Sequence, residues 1–264
     1  LAVLFLLGAP SVLGGWPRIR VAHAWLNLFG FVGLVVTSTL VHLLPTVLGT
    51  RVRGRPTGSG AVVALAAGTA AGAAGFLLAA DPLARLGGLG LVVGAGLLAA
   101  EAIRVWRARG RWTTDPGWHR FIAGSLLAAV GWFGIGSTVV GVRTILLGAV
   151  PAAWDLAPLL APFGAGWLAS AFFGSASHLV PSIGPGGPEL HAAARRLLGG
   201  WGTARLLVFQ GGVILLGLAD MAGSAGPAVA VEAARGLGLV ALLGSAGWSS
   251  VLLVRTVVLL VRAR

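Results

Sequence analysis

Apolar stretches long enough to cross a bilayer follow one another along most of this chain of 264 residues. A helix needs about 20 apolar residues to span the hydrocarbon core. Stretches of that length fall near residues 21–48, 60–80, 84–106, 117–142, 156–181, 203–221 and 236–261, and a shorter one fills residues 1–15. The pattern predicts an all-α fold, a polytopic transmembrane helical bundle of about eight helices, as a single integral membrane domain over residues 1–264.

Composition agrees with a membrane location and excludes several kinds of site. The mean hydropathy is +0.93, and 57% of residues are hydrophobic while only 10% are charged. All 19 basic residues are arginine, and cysteine is absent. Disulfides and thiolate metal sites are therefore excluded. We attribute the excess of arginine, alanine and glycine to a bacterial genome rich in G and C, and we predict a bacterial plasma membrane protein.

The arginines orient the predicted helices. Connections near residues 51–55, 104–120, 195–205 and 255–264 hold most of them. Short cytoplasmic loops are enriched in arginine, so this side and the C-terminus are predicted to be cytoplasmic. Membrane orientation explains the net charge of +12, so we expect the lipid bilayer as a partner and no nucleic acid. Residues 1–15 lack a basic start and a cleavage site, and we expect them to be the remainder of a first helix in a chain truncated at its N-terminus.

A repeated phrase predicts two related halves. Residues 42–47 read HLLPTV and residues 178–183 read HLVPSI, at an offset of 136 residues that also aligns Gly30 with Gly166 and Thr39 with Ser175. The offset corresponds to four predicted helices, so both copies cross the membrane in the same direction. We predict two parallel four-helix repeats, approximately residues 1–110 and 111–264, related by an axis along the membrane normal.

Each copy of the phrase combines a histidine with a proline three residues later. The proline removes a helical hydrogen bond and frees the carbonyls of Val41 and Ser177, beside His42 and His178. Two imidazoles that face each other across the repeat axis would suit a metal, a haem iron or an anion. The alternative is that each histidine only stabilises the C-terminal end of its own helix, where a partial positive charge is favourable.

The other histidines have simpler alternatives. His119 lies on the same predicted side as His42 and His178 and is a candidate third ligand, but it is also typical of a residue at the membrane interface. His23 begins the stretch 21–48 on the outer side, and Asn27 follows one turn later, in a position to hydrogen-bond with it. Glu101 lies inside a predicted helix, where Arg104 offers a local ion pair.

One stretch resembles a known family. Residues 23–40 read HAWLNLFGFVGLVVTSTL, which resembles the phrase H-x-H-L-N-L-x-G of small membrane proteins related to haem-copper oxidase subunit I. The chain is also similar to the membrane module of actinobacterial copper oxidases, in this stretch and in residues 111–121 and 178–186. The resemblance implies four-helix units, outer-side histidines that bind haem and copper, and a redox or copper-oxidase partner. His23 matches the first family histidine, while Trp25 occupies the position of the second.

Together these observations predict a membrane module for electron or metal handling. Haem or copper would bind through His42 and His178, with His119 as a third metal ligand and His23 as a separate outer candidate for cofactor binding. Such a site would be redox or storage rather than hydrolytic, because no nucleophile with an acid-base pair is evident. Whether the protein is an enzyme stays open. Two alternatives remain, a metal-free transporter or permease and a structural membrane subunit of a redox complex.

Overall fold

The computed structural model describes residues 10–50, 56–112, 114–151, 157–223 and 226–262. The described residues form helices joined by short connections, and no strand occurs among them. The predicted all-α, polytopic helical bundle is confirmed.

The helices are named here in chain order, with two π-helical segments named separately. They are α1 (Pro10–Trp25), π1 (Leu26–Val32), α2 (Gly33–Val47), α3 (Pro56–Leu78), α4 (Asp81–Arg107), α5 (Pro116–Leu147), π2 (Ala161–Ala169), α6 (Ser170–Ile183), α7 (Pro188–Gly199), α8 (Gly202–Ala222) and α9 (Ala228–Arg262). A 3₁₀ turn, Ala157–Leu159, precedes π2.

Six helical stretches among the described residues are long and apolar enough to cross a membrane. They are Gly14–Val47, Pro56–Leu78, Asp81–Arg107, Pro116–Leu147, Gly202–Ala222 and Ala228–Arg262. The chain is therefore a multi-pass integral membrane protein. The seven long predicted stretches all correspond to helices. The first predicted helix, residues 1–15, falls mostly outside the described residues. Residues 16–20, which separate the first two predicted stretches, are helical and lie within α1.

The short helix α7 was not anticipated. The Pro/Gly-rich stretch of residues 181–190 favours the end of a helix, but a new helix begins within it, at Pro188. Proline suits a first helical position, since the amide hydrogen that it lacks would have no helical partner there. Ala194 and Leu198 are fully buried, while Arg196 is exposed. Such a two-sided helix is typical of the membrane interface.

The chain divides into two compact units, whose boundaries differ from the predicted halves. The first comprises Leu1–Val41, Gly54–Glu101 and Gly134–Asp155, and the second comprises His42–Arg53, Ala102–Phe133 and Leu156–Arg264. The predicted halves themselves stay a prediction.

In the first unit, glycines bring α3 and α4 into close contact. A methyl group at Gly68 would lie only 2.8 Å from the Cα atom of Gly90. Trp25 is fully buried and packs against Phe29 and Phe76, with ring centroids 5.1 and 5.5 Å apart. Small residues at helix contacts replace the hydrophobic driving force that is missing in lipid.

In the second unit, α8 packs along α9, and α7 packs on both α6 and α9. A methyl group at Gly212 would lie 2.8 Å from the carbonyl oxygen of Gly238. Arg205 on α8 is only 5% exposed. It donates to the carbonyl oxygens of Leu198 and Gly200 and to Ser249 Oγ, at 3.2 Å from Gly200 and 3.1 Å from Ser249. It thereby satisfies carbonyls at the C-terminal end of α7, where a cation is favoured.

Two local features recur at positions that the repeat makes equivalent. Leu26–Val32 and Ala161–Ala169 are both π-helical, and each leads directly into the helix that carries a repeated phrase. Thr46 Oγ1 donates to the carbonyl of His42 at 3.3 Å, and Ser182 Oγ donates to that of His178 at 2.6 Å. π-Helical segments are rare and are often found at functional sites.

Candidate functional site around Trp118

The first turn of α5 carries the centre of the site. The helix begins at Pro116 directly after Asp115, and proline suits the first helical position. Trp118 is 6% exposed, and its Nε1 donates a 2.8 Å hydrogen bond to the carbonyl oxygen of Ser177 on α6. That carbonyl lacks its helical donor because Pro181 has no amide hydrogen. Trp118 therefore holds the start of α5 against the proline-containing end of α6.

Two of the predicted histidines contact Trp118. The ring of His178 stacks on the indole with centroids 5.9 Å apart and planes inclined by 24°. The ring of His119 meets the same indole edge-on, at 4.7 Å and 67°. The second unit thus brings together two imidazoles whose residues are far apart in the sequence.

Further aromatic rings extend this arrangement. Trp112 lies parallel to His119, with centroids 5.5 Å apart and planes within 3° of parallel. Trp106 contacts Trp112 at 6.3 Å, and the guanidinium of Arg109 lies 3.7 Å above Trp106. We call this set the Trp118 cluster, and its members are Trp106, Trp112, Trp118, His119 and His178.

The cluster contains one unsatisfied donor. The indole Nε1 of Trp112 is buried and has no hydrogen-bond partner among the described residues. A buried polar group without a partner is rare in native structures and calls for an explanation such as a bound molecule. The Trp112 ring lies against His119. Its Nε1 could therefore donate a hydrogen bond to an acceptor atom of a group bound near that imidazole.

Charged groups border the cluster on the α7 side. Arg195 Nε donates to Asp115 Oδ2 at 2.8 Å, and the carboxylate is the more buried partner. The guanidinium of Arg195 lies 5.7 Å from the centre of the Trp118 ring. This ion pair joins α7 to the start of α5.

His42 and His23 lie on exposed faces of their helices. His42 is on α2, and the expected approach of His42 to His178 stays a prediction. His23 is on α1, and Asn27 Nδ2 lies 3.1 Å from its Nε2 and donates to its carbonyl oxygen at 2.8 Å. The predicted hydrogen bond between Asn27 and His23 is confirmed.

No group of three or more histidine, cysteine, aspartate or glutamate side chains among the described residues is arranged to hold a metal ion. The predicted metal ligand set of His42, His178 and His119 stays a prediction, and the contacts described here bring His119 and His178 to the same indole. Trp25, which stands where the family phrase has its second histidine, is a buried core residue of the first unit.

Two features were not predicted from the sequence. The contacts among the rings from Trp106 to Trp118 were not predicted, although tryptophans spaced six residues apart, at 106, 112 and 118, are a visible signal. Glu101 is fully buried and accepts a hydrogen bond from Thr57 Oγ1 at the start of α3. A partner on a neighbouring helix cannot be identified from spacing along one chain.

Comparison of the chain with protein-family models, with curated proteins and with solved structures finds no match. The fold alone thus defines the class, which is a multi-pass helical protein of the membrane.

Proposed function

We propose that this protein is a bacterial plasma membrane module, related to the membrane modules of copper and haem-copper oxidases, that binds haem or copper for electron or metal handling. One observation carries the proposal: two imidazoles, His119 and His178, contact the same indole of Trp118. Imidazole is a common ligand of both copper and haem iron. The resemblance of residues 23–40 to the oxidase-related phrase supports the same class of chemistry.

The size of the ligand set favours haem. Structural zinc requires four protein ligands, whereas haem iron is held by fewer side chains of the protein. His119 and His178 would hold the group, and His42 would be a further ligand if α2 brings it to the same site. His23 is proposed as a separate outer candidate. When bound, such a group would supply one-electron chemistry.

The residues around the two imidazoles have supporting roles. Trp118 is fixed by its bond to Ser177 and so limits how the neighbouring rings can turn. Trp112 stacks on His119 and offers the unsatisfied Nε1 donor. The rings cover part of each imidazole, since His119 and His178 are half-buried. A redox partner in the membrane or at its surface would exchange the electron.

Titration with haemin, and separately with copper, tests the proposal on the detergent-purified protein. We expect binding to saturate near one haem or copper per chain. The H119A/H178A variant should lose more than about 100-fold in affinity, which exceeds the loss usual when a residue that only contacts a ligand is removed. H191A is the matched control, since His191 lies at the same end of the protein and only approaches the carbonyl oxygen of Gly184 at 3.0 Å. An H42A variant tests whether His42 takes part. Equal binding by the wild type and H119A/H178A would refute the site.

A metal-free carrier is the second candidate. Broken or irregular helices at equivalent positions of two repeats are typical of carriers, and π1 and π2 are such a pair. Solute flux into vesicles without metal, unchanged in H119A/H178A, would favour this alternative. Absence of both metal and flux would favour a structural subunit.

The predicted cytoplasmic position of the C-terminus is tested by a C-terminal reporter that is active on only one side of the membrane.

A further inference from the structure

A groove lies between α7 and α9. None of the residues that line it belongs to the Trp118 cluster, on which the proposed function depends. Its volume is about 520 Å³. Its lining combines aliphatic side chains with two arginines, and comprises Leu197, Val254, Arg255, Val258, Leu259 and Arg262.

The two arginines give the groove a positive charge. Neither Arg255 nor Arg262 forms an ion pair with an acidic side chain among the described residues. They are seven residues apart on α9, which places them two turns apart on one face, about 10 Å along the axis. By contrast, Arg235 near the other end of α9 is paired with Asp220 and Glu232 at 3.1 and 2.6 Å.

The position of the groove along α9 corresponds to a membrane interface. The uncharged stretch from residue 236 to residue 254 begins after Arg235 and ends before Arg255. Its length of about 28 Å is close to the thickness of the hydrocarbon core, about 30 Å. Arg255 therefore lies at one boundary of the core, and Arg262 lies further out among the headgroups. The two-sided helix α7, which forms the other wall, is suited to the same depth.

We propose that this groove binds one anionic phospholipid from the leaflet at this end of α9. Arg255 and Arg262 would hold its phosphate-bearing headgroup, and Val254, Val258 and Leu259 would contact its acyl chains. Basic pockets between helices at a membrane interface bind anionic headgroups in this way. A soluble anion would use the arginines but would gain nothing from the aliphatic wall, so charge and lining together favour a lipid.

The test uses the complete protein in a neutral detergent, with thermal unfolding followed by intrinsic tryptophan fluorescence. The probes are dioleoyl phosphatidylglycerol, dioleoyl phosphatidylcholine and inorganic phosphate. We expect phosphatidylglycerol alone to raise the Tm of the wild type in a saturable manner. The R255Q/R262Q variant should bind it about 30-fold more weakly, as expected for two arginines near a charged membrane surface. R255K/R262K, which keeps both charges, should retain most of the effect.

The matched control is R107Q/R111Q, which removes two exposed arginines from the same arginine-rich side outside the groove. This variant should bind phosphatidylglycerol like the wild type. An equal loss in R107Q/R111Q would show general charge attraction and overturn the proposal. An equal Tm shift with inorganic phosphate, or an unchanged phosphatidylglycerol affinity in R255Q/R262Q, would also overturn it.

Discussion

The indole Nε1 of Trp118 donates a 2.8 Å hydrogen bond to the carbonyl oxygen of Ser177, the carbonyl that Pro181 leaves without its helical donor. Sequence alone identified the freed carbonyl but not the group that satisfies it. The same indole contacts His119 and His178. The indole of Trp118 therefore supplies the hydrogen bond that the proline-containing helix lacks, and it also contacts both imidazoles of the candidate site.

Replacing Trp118 by phenylalanine should destabilise the protein by about 1–3 kcal/mol, because the carbonyl of Ser177, a residue only 1% exposed, loses its donor. In a P181A background, the new backbone amide hydrogen can restore the helical hydrogen bond, so the same W118F change should be less destabilising. A double-mutant cycle of unfolding free energies in detergent measures this coupling, and we expect about 1 kcal/mol. W248F, at a partly exposed tryptophan of α9, is the control. Equal effects of W118F in both backgrounds would show that the hydrogen bond contributes little.

The close contact between α3 and α4 predicts a position-specific effect of added methyl groups. G68A should destabilise the first unit by about 1–3 kcal/mol, since the new methyl group would press on the backbone at Gly90. G96A, on α4, has open space around its Cβ position and should be neutral or stabilising by up to about 1 kcal/mol. Thermal unfolding of both variants distinguishes them, and equal Tm values would contradict the packing described here.

The buried carboxyl group of Glu101 predicts a requirement for Thr57. T57V removes the hydroxyl donor while keeping the shape of the side chain, and should destabilise by about 1–3 kcal/mol. T39V is the matched control, because the Thr39 hydroxyl is exposed and donates only to the carbonyl of Val35 in its own helix, at 2.8 Å. The two unfolding free energies should therefore differ, and a T39V effect as large as that of T57V would rule out a special role for Thr57.

Arg205 is predicted to hold α7 in place. R205Q should destabilise by about 1–3 kcal/mol, since the carbonyl oxygens of Leu198 and Gly200 lose their charged donor. R196Q on the exposed face of α7 should change stability by less than about 0.5 kcal/mol. Limited proteolysis at the ends of α7 provides the readout, and we expect faster cleavage only in R205Q. Unchanged cleavage in R205Q would mean that α7 is held by its apolar face alone.

Local chemistry predicted the helices and several of their contacts. The contact of Asn27 with His23 follows from their spacing of one helical turn. The interior position of Glu101 was also visible, but its contact with Thr57 on another helix was not. Contacts between helices depend on how each helix is rotated, and an evenly apolar helix carries little information about rotation.

Two elements escaped prediction for different reasons. Helix α7 has a recognisable start at Pro188 and Glu189 and a helical apolar period, but a Pro/Gly-rich stretch directly before it hid the signal. The π segments have no local signature, because an extra residue in a helical turn is accommodated by tertiary packing. The equivalence of their positions can be recognised only because each π segment precedes a helix that carries a copy of the repeated phrase.

The most direct test of the proposed function is elemental analysis of the detergent-purified protein for iron, copper and zinc per chain. The account predicts near-stoichiometric iron or copper in the wild type and in H191A, and its loss in H119A/H178A. A blank in the wild type, after expression with haem precursor and copper supplied, would contradict a metal site at the Trp118 cluster.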